Sequence, residues 1–281
     1  DIQYYAIHAD PSAAELLRTV RAAARRGVRV RILLDDFNSA GHNALVMRMA
    51  SVPGVQMRMF NPLPGDRGLG MLRALRSLHD FKRMQHRMHN KLFIADNAWG
   101  VTGGRNLGDA YFGIASGSNF IDLDVLAAGP VVQAMSASFD RYWNNPLAYP
   151  VDALITPEEL ARLGATTRAD ASDLPAAGST PAPPPPTDLA ALRLVWAPAV
   201  LRADSPFKLV PGHDEQGGPS VVGDMLSLLQ QARNEALIVS PYFVPGTDMT
   251  EQFARMLRRG VRVLVCTNSL ASTDAPLAQV R

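Results

Sequence analysis

A six-residue repeat is the sequence feature that most constrains the fold. Arg-Arg-Gly-Val-Arg-Val occupies residues 25–30 and recurs letter for letter at residues 258–263. In each copy a predicted helix ends at the glycine and a predicted apolar strand follows it. An aromatic pair that we interpret as part of a strand precedes each copy, Tyr4-Tyr5 in the first and Tyr242-Phe243 in the second. The repeat therefore predicts a duplication into two similar α/β lobes that pack about a pseudo-twofold axis.

The order of predicted elements indicates an α/β fold in which helices flank a mixed sheet in each lobe. In the first lobe, strands are predicted at residues 2–7, 28–34, 55–60, 91–95, 99–102 and 121–127, and helices at 12–26, 43–50 and 130–143. Residues 169–190 are rich in proline and alanine, cannot bury an apolar face and predict a linker. We therefore expect a first lobe at residues 1–168 and the start of an incomplete second lobe at residues 191–281.

Composition argues against several kinds of site and partner. The 28 Lys and Arg residues nearly balance the 26 Asp and Glu residues, and the net charge of +2 argues against a general nucleic-acid binder. The single cysteine, Cys266, excludes an internal disulfide and a thiolate zinc cage, and its apolar neighbours predict a core position. His86 and His89 lie in a predicted loop and strand, so we expect no metal site. No apolar run reaches the roughly 20 residues that a membrane-spanning helix needs.

The residues that suit phosphate chemistry lie close together in the sequence. His89 and Lys91 are two positions apart, so on a strand their side chains point to the same side. An imidazole beside an ammonium suits a phosphate, because one group attacks or moves a proton while the other neutralises oxyanion charge. Gly103-Gly104 permits close approach of the backbone, and Asn106 can donate to a phosphoryl oxygen.

The spacing of these residues resembles a known family. The pattern H-x-K-x4-D occurs at residues 89–96, and G-G-x-N follows at residues 103–106. Together the two patterns resemble the signature of the phospholipase D superfamily. Four further segments are similar to its bacterial cardiolipin synthase branch, at residues 104–109, 120–124, 240–246 and 267–274. The resemblance covers essentially the whole chain.

The resemblance implies a two-step phosphoryl transfer without a metal or another cofactor. His89 would attack the phosphorus of a phosphodiester and form a phosphohistidine, while Lys91 and Asn106 hold the non-bridging oxygens. A carboxylate on a later strand, matched here by Asp122, would orient the imidazole and stabilise its charged form. Asp96 completes the motif, and we interpret it as a structural anchor rather than a proton donor.

The same resemblance assigns substrate binding to Gly103, Gly104 and Arg105. It also implies a second motif, whose histidine would protonate the leaving alcohol. The sequence contains one such motif, and the spacing from the repeat would place a second one beyond Arg281. We therefore expect a fragment that is inactive or nearly so alone, and that needs a second lobe or a partner subunit to supply the second histidine.

Asp35-Asp36 ends a predicted strand in the first copy of the repeat. A pair of carboxylates there suits acid–base chemistry, but the second copy has Asn268-Ser269 at the matching point. We therefore favour a role in the loop at the end of the strand.

Three functions are consistent with these features. The first is a phosphatidyltransferase similar to cardiolipin synthase, which exchanges a phosphatidyl group between a phosphatidylglycerol-like phospholipid and a second lipid alcohol. The second is a hydrolase or nuclease of the same superfamily, although the near-neutral charge counts against nucleic acid as a partner. The third is a non-catalytic lobe that binds a lipid or a protein partner.

The resemblance to the family also implies a cellular location and contact with a membrane. A phospholipid substrate implies contact with a membrane surface, and we expect a bacterial cell-envelope location, at the inner membrane or in the periplasm. The amphipathic stretch at residues 71–78 would either touch that membrane or cover the core of its own lobe.

Overall fold

The computed structural model describes residues 1–36, 44–62, 87–169, 187–209 and 220–269. These residues divide into two compact units. The first unit holds the described residues up to Leu201 together with Pro206–Leu209, and the second holds Arg202–Ser205 and residues 220–269. His86, the amphipathic stretch at 71–78 and most of the predicted linker at 169–190 lie outside the described residues. The predicted bounds of the two lobes therefore stay a prediction.

The first unit is built on a seven-stranded mixed sheet. Its strands are β1 (Ile2–Tyr4), β2 (Val30–Asp35), β3 (Val55–Phe60), β4 (Leu92–Ala95), β5 (Trp99–Gly103), β6 (Asp124–Ala128) and β7 (Ala148–Pro150). They lie in the order β6-β5-β4-β1-β2-β3-β7. Neighbours among β1, β2 and β3 run parallel, and every other neighbouring pair runs antiparallel. This sheet and its flanking helices confirm the predicted α/β class.

Helices cover both faces of this sheet. The described helices of the unit are α1 (Pro11–Arg25), α2 (Ala44–Met47), α3 (Pro130–Trp143) and α4 (Pro157–Ala169). In β2, Ile32 and Leu34 belong to the core that α1 covers, whereas Leu33 belongs to the core that α3 covers. Because both faces of the strand are buried, its sequence is a continuous apolar run rather than an alternation.

The second unit repeats the strand–helix–strand arrangement of the first. It contains α5 (Val221–Gln230), β8 (Glu235–Val239), α6 (Thr247–Arg258) and β9 (Arg262–Cys266). β8 and β9 are parallel neighbours joined through α6, as β1 and β2 are joined through α1. The six-residue repeat therefore marks the same junction, from the end of a helix to the start of a parallel strand, in both units.

Two expectations for the second unit are wrong. Tyr242-Phe243 does not form a strand, because β8 ends at Val239 and the aromatic pair lies in the loop that leads to α6. Cys266 is exposed rather than in a core, because the described residues cover one face of the two-stranded sheet only in part. No helix in the described ranges combines the length and the apolar character that crossing a membrane requires.

Candidate active site

The topology of the sheet gathers most of the predicted site residues at one edge. β1 and β2 end at this edge, and β4, which is antiparallel to β1, begins there. β5 ends and β6 begins at the same edge, because each is antiparallel to its neighbour. The segment 89–91 before β4, the segment 104–106 after β5 and Asp122 before β6 are thus brought side by side.

His89 and Lys91 meet at the centre of this edge. Lys91 is buried, and its Nζ donates to the main-chain oxygen of His89 at 2.8 Å while lying 2.9 Å from His89 Nδ1 and 3.3 Å from Nε2. His89 is exposed, with its ring centroid 4.6 Å from that of Tyr5. Thr102 Oγ1 donates to the main-chain oxygen of Lys91 at 2.9 Å and ties the segment to β5. The two predicted catalytic groups therefore form one contact pair.

The surroundings of this pair depress the pKa of both groups. Loss of solvent around the ring, with the neighbouring Lys91 ammonium, lowers the pKa of His89 to about 4. Burial lowers the pKa of Lys91 to about 8, while the negative charges of Asp122 and Asp35 act to raise it. Near neutral pH the site therefore holds a neutral imidazole next to a charged ammonium. That combination suits a nucleophile beside a stabiliser of oxyanion charge.

The two glycines leave space for acidic side chains rather than for open solvent. A Cβ at Gly103 would overlap the Asp124 carboxylate and the main-chain oxygen of Leu123. A Cβ at Gly104 would overlap both oxygens of the Asp122 carboxylate. Glycine at these two positions therefore lets the start of β6 approach the end of β5 closely.

Arg105 holds the start of β6 in place. Its guanidinium forms an ion pair with Asp124 at 3.2 Å and donates to the main-chain oxygen of Asp122 at 2.7 Å. Its main-chain N–H is 3.4 Å from Asp124 Oδ1. These contacts position the β6 side of the site, and the predicted contact of Arg105 with substrate stays a prediction.

Asn106 joins two loops of the site edge. It is buried, its Oδ1 accepts the main-chain N–H of Ala6 at 3.2 Å, and its Nδ2 donates to the Tyr111 hydroxyl at 2.9 Å. An amide nitrogen carries two hydrogens, so one remains for a phosphoryl oxygen after the bond to Tyr111. The predicted phosphate contact is therefore compatible with the structural one.

Asp122 lies at the site edge without pairing with the imidazole. It precedes β6 by two residues instead of lying on the strand, and one carboxylate oxygen accepts the N–H of Leu123 at 2.7 Å. Among the described residues, its carboxylate makes no hydrogen bond to His89. It does lie beside Gly104 and close enough to Lys91 to influence the pKa of that lysine. Its role in orienting His89 stays a prediction.

Asp96 lies at the opposite edge of the sheet. β4 separates it from His89, and the main-chain N–H of Ala98 closes a turn onto Ala95 at 3.1 Å. Asp96 and Asn97 are the central residues of this turn, with φ of 53° and 54°. Asp and Asn tolerate that left-handed conformation better than most residues. Asp96 is therefore separated from the side chains of His89 and Lys91, and it lies in a tight turn.

Sequence reasoning missed a buried pair beneath the site. Asp35 does not lie in the loop after the predicted strand, because it is the last residue of β2, and it is 1% exposed. Arg87 lies 3.2 Å from its Oδ1. An acidic residue ending an otherwise apolar buried strand is a signal that could have found it. Among the described residues, no group of three or more metal-ligating side chains occurs.

Comparisons with known proteins identify relatives of this chain. A family model described as a cardiolipin synthase, PLD-like domain matches residues 1–143. Cardiolipin synthase C of Escherichia coli is 38% identical over 98% of this chain and 58% of its own length. An uncharacterized protein of Helicobacter pylori is 33% identical over 98% of this chain and 55% of its own length.

A solved structure matches the fold. The structure of phosphatidylserine synthase from Haemophilus influenzae superposes with a TM-score of 0.59 at 14% identity, over 97% of this chain and 57% of that one. The chain therefore spans little more than half the length of these relatives. The family match confirms the resemblance drawn from the motifs: the chain belongs to the cardiolipin synthase family of phospholipase D-like domains.

Proposed function

We propose that this chain supplies the nucleophilic half of an active site that transfers a phosphatidyl group between lipid alcohols through a phosphohistidine at His89. The observation that carries the proposal is the contact between Lys91 Nζ and His89 Nδ1 at 2.9 Å, with the imidazole neutral and the ammonium charged near pH 7. Similarity to proteins named cardiolipin synthase supports a phosphatidylglycerol-like phospholipid as the substrate.

The first step forms a bond between His89 Nε2 and phosphorus. The imidazole lone pair attacks, the bond from phosphorus to the leaving glycerol oxygen breaks, and that oxygen takes a proton. The Lys91 ammonium turns from the imidazole to the non-bridging oxygens, which are stronger acceptors and carry the developing charge. This movement frees Nδ1, so that the single ring proton moves through solvent from Nε2 to Nδ1 before the Nε2 lone pair attacks.

The second step reverses the first with a different alcohol. The acceptor oxygen attacks phosphorus, the phosphorus–nitrogen bond breaks, and the acceptor's proton leaves. Both steps need a group that gives and takes a proton on the side opposite His89. We propose that a second histidine in another lobe or a partner subunit does this, at a membrane surface of the bacterial envelope.

A substrate whose leaving group needs no proton tests the nucleophile independently of that second histidine. We would present a phosphatidyl p-nitrophenyl diester in mixed micelles to the 281-residue chain and follow nitrophenolate release. We expect a burst of about one nitrophenolate per chain, with a phosphoryl adduct on His89 that acid hydrolyses. His8→Ala is the matched control, because it removes an exposed imidazole outside the proposed machinery.

The histidine variant decides the assignment of the nucleophile. His89→Ala is expected to abolish the burst, and His8→Ala is expected to keep it. A burst of undiminished size in His89→Ala would refute the phosphohistidine. Lipid extracts from cells that express the whole gene then address the acceptor: new cardiolipin indicates transfer to a lipid alcohol, and phosphatidic acid alone indicates hydrolysis.

A further inference from the structure

A buried carboxylate at the end of β2 holds the segment that leads into the catalytic motif. Asp35 Oδ2 accepts the main-chain N–H of Met88 at 2.9 Å, and Asp35 Oδ1 lies 3.2 Å from the Arg87 guanidinium. The Asp35 side chain is 0% exposed and that of Arg87 is 9% exposed. Asp35 thus binds two consecutive residues, the last two before His89.

Arg87 extends this contact to the next strand. The same guanidinium nitrogen that faces Asp35 donates to the main-chain oxygen of Asn61 at 3.0 Å. Asn61 follows β3 directly, has a φ of 49°, and donates its own N–H to Leu147 at 2.8 Å. The segment before His89 is therefore tied to the ends of two neighbouring parallel strands, β2 and β3.

Met88 connects the Asp35–Arg87 pair to the proposed nucleophile, His89. Its side chain is fully buried among the residues that pack against α3, and Gln3 Nε2 lies 3.1 Å from its sulfur. Its main-chain N–H is held by Asp35 at the same time. Both the backbone and the side chain are held at position 88. The backbone that leads into His89 is therefore restrained in position.

We infer that Asp35 and Arg87 form a positioning pair that sets the placement of His89, an inference that rests on the proposed function. Neither residue would touch the substrate. Geometric placement of a nucleophile can account for large rate factors, so a buried ion pair of this kind acts on the rate through residues it positions.

The charge of Asp35 also reaches Lys91. Among the described residues, the His89 imidazole and the Tyr5 ring at 5.5 Å lie next to the Lys91 ammonium, and the carboxylates of Asp122 and Asp35 act on it through their charge. Both carboxylates oppose the effect of burial on the pKa of Lys91. Loss of the Asp35 charge should therefore lower the pKa of Lys91, which a purely mechanical role would not predict.

Asp35→Asn tests the pair, because it keeps the shape of the side chain and removes the charge. Nuclear magnetic resonance of the 281-residue chain would report Met88 amide exchange and the titration of Lys91. We expect Met88 to exchange at least about 10-fold faster, since a hydrogen bond to a charged acceptor is lost. We also expect the pKa of Lys91 to fall and the nitrophenolate burst to slow about 10-fold.

Asp140→Asn is the matched control. It removes a carboxylate that pairs with Arg31 at 2.7 Å, near the opposite end of β2 from the site. The control is expected to leave Met88 exchange, the pKa of Lys91 and the burst rate unchanged. If Asp35→Asn does not fold, hydrogen exchange in the wild type still tests the pair. Met88 lies outside helix and strand, so its amide is expected to be protected from exchange through its bond to Asp35.

The outcomes separate this inference from the proposed function. A Met88 amide that exchanges freely in the wild type overturns the pair, and so does a pKa of Lys91 unchanged by Asp35→Asn. A wild type without any burst refutes the proposed function, while the two resonance measurements still decide whether Asp35 positions the segment. A burst that slows equally in Asp35→Asn and Asp140→Asn would show a general loss of stability and would overturn the assigned role.

Discussion

Replacing Lys91 by methionine should stabilise the first unit while it removes a proposed catalytic group. Burial lowers the pKa of Lys91 from 10.5 to about 8, and each pKa unit corresponds to about 1.4 kcal/mol. Keeping the buried amine charged at pH 7 therefore costs the folded state about 3 kcal/mol. Methionine has a similar length without charge, and the His89 acceptors lose a donor worth about 1 kcal/mol. We expect the free energy of unfolding to rise by about 2 kcal/mol at pH 7.

The pH dependence gives the sign of this effect. Below pH 8 the lysine is charged in both the folded and the unfolded chain, so the folded state bears the whole cost of desolvation. Between pH 8 and 10.5 the folded chain releases the proton while the unfolded chain retains it, and the cost declines. Above pH 10.5 both states are neutral and the cost is absent. The advantage of Lys91→Met should therefore shrink by about 3 kcal/mol as the pH rises through this window.

Urea unfolding of wild type and variant at pH 7 and at pH 10.5 measures the effect. Arg25→Met is the control, because Arg25 is exposed and a guanidinium keeps its proton over this whole range. The difference between wild type and Arg25→Met should be the same at both values of pH. The reasoning is refuted if Lys91→Met is destabilising at pH 7, or if its effect does not depend on pH. The nitrophenolate burst should be lost in Lys91→Met. A gain in stability with a loss of activity is the trade-off expected where a buried charge is kept for function.

Substitutions at three other positions test the site edge and the turn at the opposite edge. Gly104→Ala should slow the burst about 10-fold because its Cβ displaces the Asp122 carboxylate, and an unchanged rate would contradict that contact. Asp96→Ala should keep the burst rate within about 2-fold yet lower the free energy of unfolding by about 1 kcal/mol, and Asp96→Gly should not lower it. Asn106→Ala leaves the buried N–H of Ala6 without its acceptor and should cost about 1–3 kcal/mol in urea unfolding; a cost near zero would count against the bond.

Local sequence pattern predicted most elements of the first unit, though not β7 or α4, because burial on the two faces of a sheet dictates where apolar residues fall. The apolar run of β2 and the amphipathic spacing of α1 are both local consequences of that burial. The direction in which a strand pairs depends on residues far away in the sequence, so the antiparallel placement of β4 could not be read from its composition. That direction decides where the motif residues lie.

The motif shows the limit of reading proximity from spacing. His89 and Asp96 belong to one pattern, yet β4 passes between them and carries Asp96 to the far edge. Asp35 and Met88 are far apart in sequence, yet the topology of the sheet puts the main-chain N of Met88 2.9 Å from Asp35 Oδ2. The proximity of His89 and Lys91 was predictable from their spacing on one side of a strand, whereas the contacts that position them depend on the order of strands.

The two copies of the six-residue repeat form the same hydrogen bonds where a helix gives way to a strand. In the first, Arg26 N–H donates to Ala22 and Ala23 oxygens at 3.2 and 3.0 Å, and Val28 N–H donates to Ala23 at 3.1 Å. In the second, Arg259 N–H donates to Arg255 and Met256 oxygens at 3.3 and 3.0 Å, and Val261 N–H donates to Met256 at 3.1 Å. Identical sequence thus closes the two helices with the same hydrogen bonds, although the helices before them differ in sequence.

This equivalence predicts equal energetic costs at the two glycines. Gly27 and Gly260 have φ of 92° and 79°, and a Cβ at either would meet no atom within 4 Å. The cost of alanine there is consequently one of backbone conformation alone, about 1 kcal/mol in each unit. Gly164→Ala, inside α4 with ordinary contact to Ser51, should instead stabilise by up to about 1 kcal/mol. Unfolding of the three variants would show two equal losses and one gain; unequal losses at Gly27 and Gly260 would mean that the repeated sequence does not impose the same strain in the two units.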